Sequence, residues 1–393
     1  MVSQQTTTQV LGRVMALAAP APADASLDSI ETPAAVVDLS VMAQNLVRTA
    51  EYCQRNQLAY RPHTKTHKSP VIGSAQLEAG ARGLTVATLR EAEVMADVCD
   101  DLLLAYPPVG SAKLTRLTQL AQRVGRLTVA LDSPEALAGV ATAARDAAVK
   151  IGVVIELDAG MGRVGVQTVD DAVRLAGAVA DNQHLHYQGV LFYPGHIRET
   201  PRNQDEVLRS LNIRLEQFLA GLQAAALVPE TVSGGSTPSL WRSHEVQGVT
   251  EVRAGTTVFN DRTTAAIDAC RWDECAYTVL ATVVSTAVPG QAVVDAGSKA
   301  LSREELRGPG GGYGALYDRP EVVLKSLSEE HGLLDLSATS WRPRVGDRVQ
   351  IVPNHVCVSV NLQEQVWGEM EERLVCRWPV AARGRAAAGT LGA

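Results

Sequence analysis

The segment Arg61-Pro62-His63-Thr64-Lys65-Thr66-His67-Lys68 sets five basic or titratable side chains within one short stretch. An amine crowded by cations loses part of its ammonium form, which makes Lys65 the candidate nucleophile for a Schiff base with a carbonyl compound. A solvated basic turn is the competing reading, because purely structural charge clusters also shift pKa values. Near the other end of the chain, Pro353-Asn354-His355-Val356-Cys357 offers a second chemistry. Read as an extended strand, it turns His355 and Cys357 to the same side, where an imidazole nitrogen and a thiolate can meet one ion. Zinc accepts nitrogen and sulfur together and, in catalytic sites, keeps a position open for water or substrate. A packed strand without metal is the alternative there.

The elements around Lys65 alternate. Ser29 to Leu39 reads as an extended entry, and Met42, Leu46, Ala50 and Cys53 recur at helical spacing. A strand at Leu58 to Arg61 leads into the basic run, Ser69-Pro70 opens a helix, and Gly83 to Ala87 is the next strand. Further strands are expected at Asp101 to Ala105, Leu127 to Leu131, Lys150 to Leu157, Tyr187 to Phe192 and Thr231 to Gly234, separated by amphipathic stretches. This alternation predicts a parallel sheet, and its length fits a (β/α)8 TIM barrel better than an open sheet, with no G-x-G-x-x-G after the first strand. Such a barrel carries its active site at the strand C-terminal ends, where Lys65, Arg163, Tyr193 and the Gly234-Gly235 turn all fall. From about Cys270 the pattern becomes β-rich, with strands expected at Tyr277 to Ser285, Gln291 to Asp295, Arg348 to Val352 and Arg373 to Trp378. Gly308 to Gly314 reads as a flexible loop within that part.

The division expected is a flexible tail, disordered or weakly helical, over 1–27, the barrel over 28–268, a β-rich domain with the metal pair over 269–380, and a second flexible tail over 381–393. A net charge of −7 without a Lys/Arg stripe argues against nucleic acid, so small molecules are the expected partners. No apolar run is long enough for a bilayer span, and Gly12-Arg13 interrupts the only apolar stretch near the start. Six scattered cysteines form no disulfide framework, which suits a reducing cytoplasm. Cys53 and Cys99 read as buried small hydrophobes, and Cys270 and Cys275 as an unpaired couple, with a disulfide or metal pair as the lesser alternative.

Three motifs in order, Pro62 to Lys68, Gly160-Met161-Gly162-Arg163-Val164-Gly165 and Pro353 to Cys357, resemble the D-threonine aldolase and D-serine dehydratase family over about Thr32 to Trp378. That family comprises fold-type III pyridoxal-phosphate enzymes, built like alanine racemase from a barrel and a β-domain. The resemblance implies that Lys65 binds the cofactor aldehyde and then serves as base at Cα, and that Arg163 bonds the ring phenolate. It implies that Ser233-Gly234-Gly235-Ser236-Thr237 and Ala254-Gly255-Thr256-Thr257 hold the phosphate with backbone N–H groups and hydroxyls. Tyr193 would contact the cofactor ring region, and His196 would be an acid or base beside a divalent metal on His355 and Cys357. Zinc is favoured there, with manganese or cobalt as alternatives, and a homodimer is expected.

The implied substrate is a D-β-hydroxy-α-amino acid, since a metal can act as Lewis acid on the β-hydroxyl oxygen. Two lyase outcomes follow: α,β-elimination to a 2-oxo acid and ammonia, or retro-aldol cleavage to glycine and an aldehyde. The aldolase branch tends to carry Asp where this chain has Cys357, which tilts the expectation towards the dehydratase. An amino-acid racemase would share the barrel lysine but need a second base, for which Tyr313 and Tyr317 are donors. A non-catalytic pyridoxal-phosphate-binding protein would need no second domain. Among basic residues that could read an acidic side chain, Arg198, Arg242 and Arg262 stand out.

Overall fold

The computed structural model describes residues 3–387. Where a flexible tail is expected over 1–27, helix α1 (Gln4–Leu17) forms, capped by Ser3, whose Oγ accepts the Thr6 N–H at 3.3 Å. Thr7, Val10 and Val14 make a buried stripe at spacings of three and four, while Gly12 and Arg13 fall on the exposed side. The interruption seen in the sequence therefore sits on the wet face and leaves the helix intact. After the short β1 (Ala19–Pro20) comes β2 (Ala34–Asp38), four of whose residues are buried, and then α2 (Leu39–Arg55).

The chain divides into two compact units that interleave in sequence. One contains 50–65 and 80–255 and is the barrel. Its strands are β3 (Ala59–Tyr60), β4 (Leu84–Val86), β5 (Asp101–Leu104), β6 (Arg126–Leu131), β7 (Ile151–Leu157), β8 (Leu185–Phe192), β9 (Thr231–Gly234) and β10 (Glu251–Val252). All pair in parallel, in the order β3-β10-β9-β8-β7-β6-β5-β4. The ring closes just past β3, where His63 bridges Thr85 and the Thr85 N–H reaches the Pro62 carbonyl at 2.9 Å. Helices α4 (Leu89–Met95), α5 (Ser111–Ala121), α6 (Pro134–Asp146), α7 (Val169–Ala180) and α8 (Asp205–Ala224) intervene along the chain, whereas α3 (Pro70–Glu78) belongs to the other unit. Ser133, Thr88 and Thr168 cap α6, α4 and α7 through their hydroxyls.

The barrel has a charged layer as well as an apolar one. Leu103, Ala130, Val154 and Leu191 pack together, whereas Arg61 spans to Asp101 and Glu251 at 2.8 Å each, and Glu251 also accepts from Ser233 Oγ at 2.7 Å. Burial opposes the charge on Arg61, but the two carboxylates outweigh it and raise its pKa.

The other unit contains the described residues up to 49, together with 66–79 and 256–381. It holds α9 (Arg262–Ala266), β11 (Tyr277–Ser285), β12 (Gln291–Val294), α10 (Ser298–Leu301), β13 (Gly314–Leu316), β14 (Leu324–Leu327), β15 (Gly332–Asp335), β16 (Arg348–Pro353), α11 (Val356–Leu362), β17 (Gln365–Met370) and β18 (Arg373–Pro379). Strand β2 belongs here, antiparallel to β11 and parallel to β17. The sequence reading assigns 28–268 to the barrel, but β2 has both edges taken by this sheet and the eight barrel strands close without it. Ala34, Val36, Leu280, Trp367 and Leu374 form one core cluster. Residues 381–387 carry no helix or strand, and the rest of the expected 381–393 tail lies outside the described residues. Among the described residues no helix is long and apolar enough to cross a membrane.

Candidate active site

Lys65 stands in a 3-10 turn, Thr64–Thr66, just beyond β3. Its Nζ lies 5.4 Å from the ring centroid of Tyr193, the residue after β8, and the Arg163 guanidinium is 5.3 Å from the same centroid. Arg163 rides on the loop after β7, which Asp158 shapes by accepting the N–H groups of Gly160 and Gly162 at 3.0 Å each. His196 packs on that loop: a Cβ at Gly160 would come within 3.2 Å of its ring. Its Nδ1 is buried without a hydrogen-bond partner. The barrel thus gathers Lys65, Arg163, Tyr193 and His196 at its C-terminal end, where the fold places chemistry.

Two of the cations expected to crowd Lys65 are offset or uncharged. Arg61 is neutralised by Asp101 and Glu251, and burial pushes His67 down to about 4, so it is uncharged near neutrality. His63 instead supports the turn, its Nδ1 facing the Lys65 N–H at 3.4 Å.

At the ends of β9 and β10 two turns are packed too closely for any side chain at their glycines. A Cβ at Gly234 would meet the Phe192 ring at 2.3 Å, one at Gly255 would meet the His63 carbonyl at 2.5 Å, and Gly235 holds φ at +88°. Ser236 and Thr237 are buried beside them. Close backbone turns that only glycine fits, together with an amine and a guanidinium near one aromatic ring, suit a phosphorylated carbonyl cofactor such as pyridoxal phosphate. Thr256, next along the chain, turns its hydroxyl to 3.8 Å from Cys357 Sγ in the other unit's own fold.

The His355-Val356-Cys357 segment is not a strand. β16 ends at Pro353, and His355 becomes the N-cap residue of α11, because Val356 and Val360, four apart, are both fully buried. Imidazole and thiol still approach each other, now within one helical turn. His355 Nδ1 lies 3.1 Å from Asp261 Oδ2, and Thr66 Oγ1 lies 3.1 Å from Cys357 Sγ. Burial would lower the His355 pKa, but the sulfur of Cys357 and the carboxylate of Asp261 overcome it and push it up to about 11. With Nδ1 committed to Asp261, Nε2 is the nitrogen left for a metal, the usual arrangement of a ligating histidine. Among the described residues no three His, Cys, Asp or Glu side chains stand together as a metal cluster. The pair therefore offers one nitrogen and one sulfur, and water or substrate must supply the rest.

The profile described as alanine racemase, N-terminal domain, matches residues 37–263, and a serine dehydratase domain profile matches 276–368. A D-threonine aldolase from Arthrobacter sp is 31% identical over 387 residues, covering 96% of this chain and 99% of the relative. The chain belongs to the D-threonine aldolase and D-serine dehydratase family. Another relative, the D-threo-3-hydroxyaspartate dehydratase of Delftia sp. (strain HT23), is 36% identical over 355 residues, or 85% of this chain and 93% of its own. The crystal structure of D-threonine aldolase from Filomicrobium marinum superposes with a TM-score of 0.84 at 33% identity, covering 93% of this chain and 99% of that one.

Several residues of this family member's site escape the sequence reading. Arg253, fully sequestered two residues before Gly255, donates to Ser233 Oγ and the Phe192 carbonyl, each at 2.8 Å, and burial lowers its pKa to about 10. Glu156, at the end of β7, is raised to about 6 by burial, with Arg253 opposing, Asp132 adding and Arg163 opposing. Alternation of Glu251 and Arg253 about Val252 was the only signal for this layer. Asp261 could have been found from Asp261-Arg262-Thr263-Thr264, a capping-box pattern, in which it caps α9 at 2.8 Å from the Thr264 N–H.

Proposed function

We propose that this lyase removes water from a D-β-hydroxy-α-amino acid, giving a 2-oxo acid and ammonia, with pyridoxal phosphate and a divalent metal, zinc by preference. The single observation that carries the elimination reading is the Cys357 thiol beside His355 in the first turn of α11, since sulfur selects zinc over harder ions. Pyridoxal phosphate, when bound, supplies an electron sink for the negative charge at Cα. Lys65 would carry it and afterwards take the α-proton. Arg163 would hold the ring oxygen, while Gly234, Gly235, Ser236, Thr237, Gly255 and Thr256 would hold the phosphate. Tyr193, whose ring both cations approach, fits a role of fixing the ring. His355 and Cys357 would hold the metal against the β-hydroxyl, and His196, with its unpartnered Nδ1, would protonate that hydroxyl as it leaves as water. The resulting enamine adds water and releases ammonia.

Retro-aldol cleavage to glycine and an aldehyde is the second reading, supported by the likeness to the Arthrobacter aldolase over nearly the whole chain. Racemisation has less support, because Tyr317 is stacked on Trp272 with centroids 6.4 Å apart. The test is mass-spectrometric product analysis with D- and L-serine and threonine in the presence of pyridoxal phosphate and zinc. A 2-oxo acid with ammonia supports elimination; glycine plus acetaldehyde from D-threonine replaces it with the aldolase, and inverted amino acid alone with a racemase. A homodimer goes with this reading and is checked by sedimentation.

A further inference from the structure

We propose that Arg262 is a carboxylate-binding site that selects D-3-hydroxy amino acids with an acidic side chain. This deepens the lyase reading above and rests on it. Buried guanidinium groups are ordinarily paired with acids. Of the buried arginines among the described residues, Arg61 has Asp101 and Glu251, and Arg253 stands in the field of Glu251 and Glu156. Arg262 is 9% exposed, yet both of its hydrogen bonds go from Nη1 to neutral acceptors, the Gly311 carbonyl at 2.6 Å and Asn354 Oδ1 at 3.1 Å. No acid offsets the burial that lowers its pKa. Nε and Nη2 keep the planar fork that takes a carboxylate through two parallel bonds.

The position ties this cation to the metal residues. Asp261, directly before it, bonds His355, and Asn354, which it touches, directly precedes His355. The loop over the guanidinium is built from glycines: even a Cβ at Gly310 would approach Nη2 only to 3.7 Å, and one at Gly311 would meet nothing within 4 Å. Asn354 fastens this loop through Gly312 O at 2.8 Å and Glu304 O at 3.0 Å, so the lack of side chains there is held in place. The other arginines considered are spoken for or outside: Arg242 is paired with Glu245 and Asp205, and Arg198 is exposed.

The experiment compares D-malate with D-lactate, which share a 2-hydroxy acid head and differ by the second carboxylate, as ligands of the holoenzyme followed by calorimetric titration. Wild type should bind D-malate about 10- to 100-fold more tightly, and Arg262→Gln should erase the difference. In turnover, the kcat/KM ratio of D-threo-3-hydroxyaspartate to D-serine should fall by a similar factor in Arg262→Gln and by less in Arg262→Lys. Equal losses on both substrates, or equal binding of the two acids by wild type, would overturn the assignment and leave Arg262 a loop fastener. Should the holoenzyme convert no D-hydroxy amino acid, the lyase reading falls, while the D-malate comparison still decides Arg262. If Arg262→Gln does not fold, the wild-type ligand ratio and Arg262→Lys carry the test.

Discussion

Replacing Asp261 by Asn changes a single heavy atom in the support of His355, the proposed metal ligand, and its consequences can be worked through donor by donor. Oδ1 accepts from the Thr264 N–H and hydroxyl at 2.8 and 2.9 Å, whereas Oδ2 faces His355 Nδ1 and the Val356 N–H at 3.1 Å each. Asparagine caps helices as well as aspartate, so its oxygen stays with Thr264 and its amide nitrogen takes the place of Oδ2. That nitrogen presents hydrogens to Nδ1, which must then become the acceptor, and it leaves the Val356 N–H without the oxygen it donates to. A neutral imidazole then keeps its proton on Nε2, the nitrogen that would ligate. Loss of such an outer carboxylate weakens metal binding about 10- to 100-fold, equivalent to about 1.4–2.7 kcal/mol. Competition between metal-free protein and a chromogenic chelator for zinc measures this without reference to catalysis. Thr264→Ala is the control, since it keeps the capping N–H but removes the hydroxyl that accepts the Asp261 N–H at 2.8 Å, and it should lower the melting temperature while leaving zinc affinity within about twofold. Unchanged zinc affinity in Asp261→Asn, or an equal loss in Thr264→Ala, would refute the reasoning.

Lys65→Ala should abolish both turnover and the lysine-linked absorbance band of the reconstituted cofactor; a normal band in that variant removes Lys65 from its assigned role. Cys357→Ala should keep the cofactor's spectrum and lose turnover together with stoichiometric zinc, so full activity after exhaustive chelation would count against the metal. Glu156 gives a stability prediction with a definite sign. Its pKa rises on folding from the usual 4.5 to about 6, so the folded state favours the protonated acid. The stabilisation is complete below pH 4.5 and is lost as pH climbs through 6, amounting to about 2 kcal/mol. Glu156→Gln should therefore melt higher relative to wild type at pH 7.5 than at pH 4.5, and a pH-independent difference would show that the carboxyl is not held protonated.

How much of this was legible depended on whether a residue's role was local. Strands β4 to β9 fall where apolar runs between helical patterns put them, because the C-terminal part of each is buried on both faces. β10 left no such trace: it is two residues long, and one of them, Glu251, is a buried charge held by Arg61 and Ser233. No single-window pattern distinguishes that from a polar loop. β2 was readable as a strand but not as a member of the distant sheet, since the same run Ala34-Ala35-Val36-Val37 would suit either environment; only its partners β11 and β17 decide.

The metal pair shows the same limit from the chemical side. Period-two alternation brought His355 and Cys357 together on paper for a reason the structure does not use, because the segment is helical from Val356 onward. The residues nonetheless meet, since N-cap and first-turn positions are also neighbours. What alternation could not reveal was the acid behind the histidine. Asp261 lies 94 residues away in sequence, and its capping-box pattern announced a helix start, which it is, without announcing that its second oxygen faces an imidazole. A carboxylate has two oxygens, and a local motif accounts for one. The second oxygen is where fold and chemistry join, and it is why the Asp261→Asn comparison separates a cap from a metal support more sharply than substitution of either ligand would.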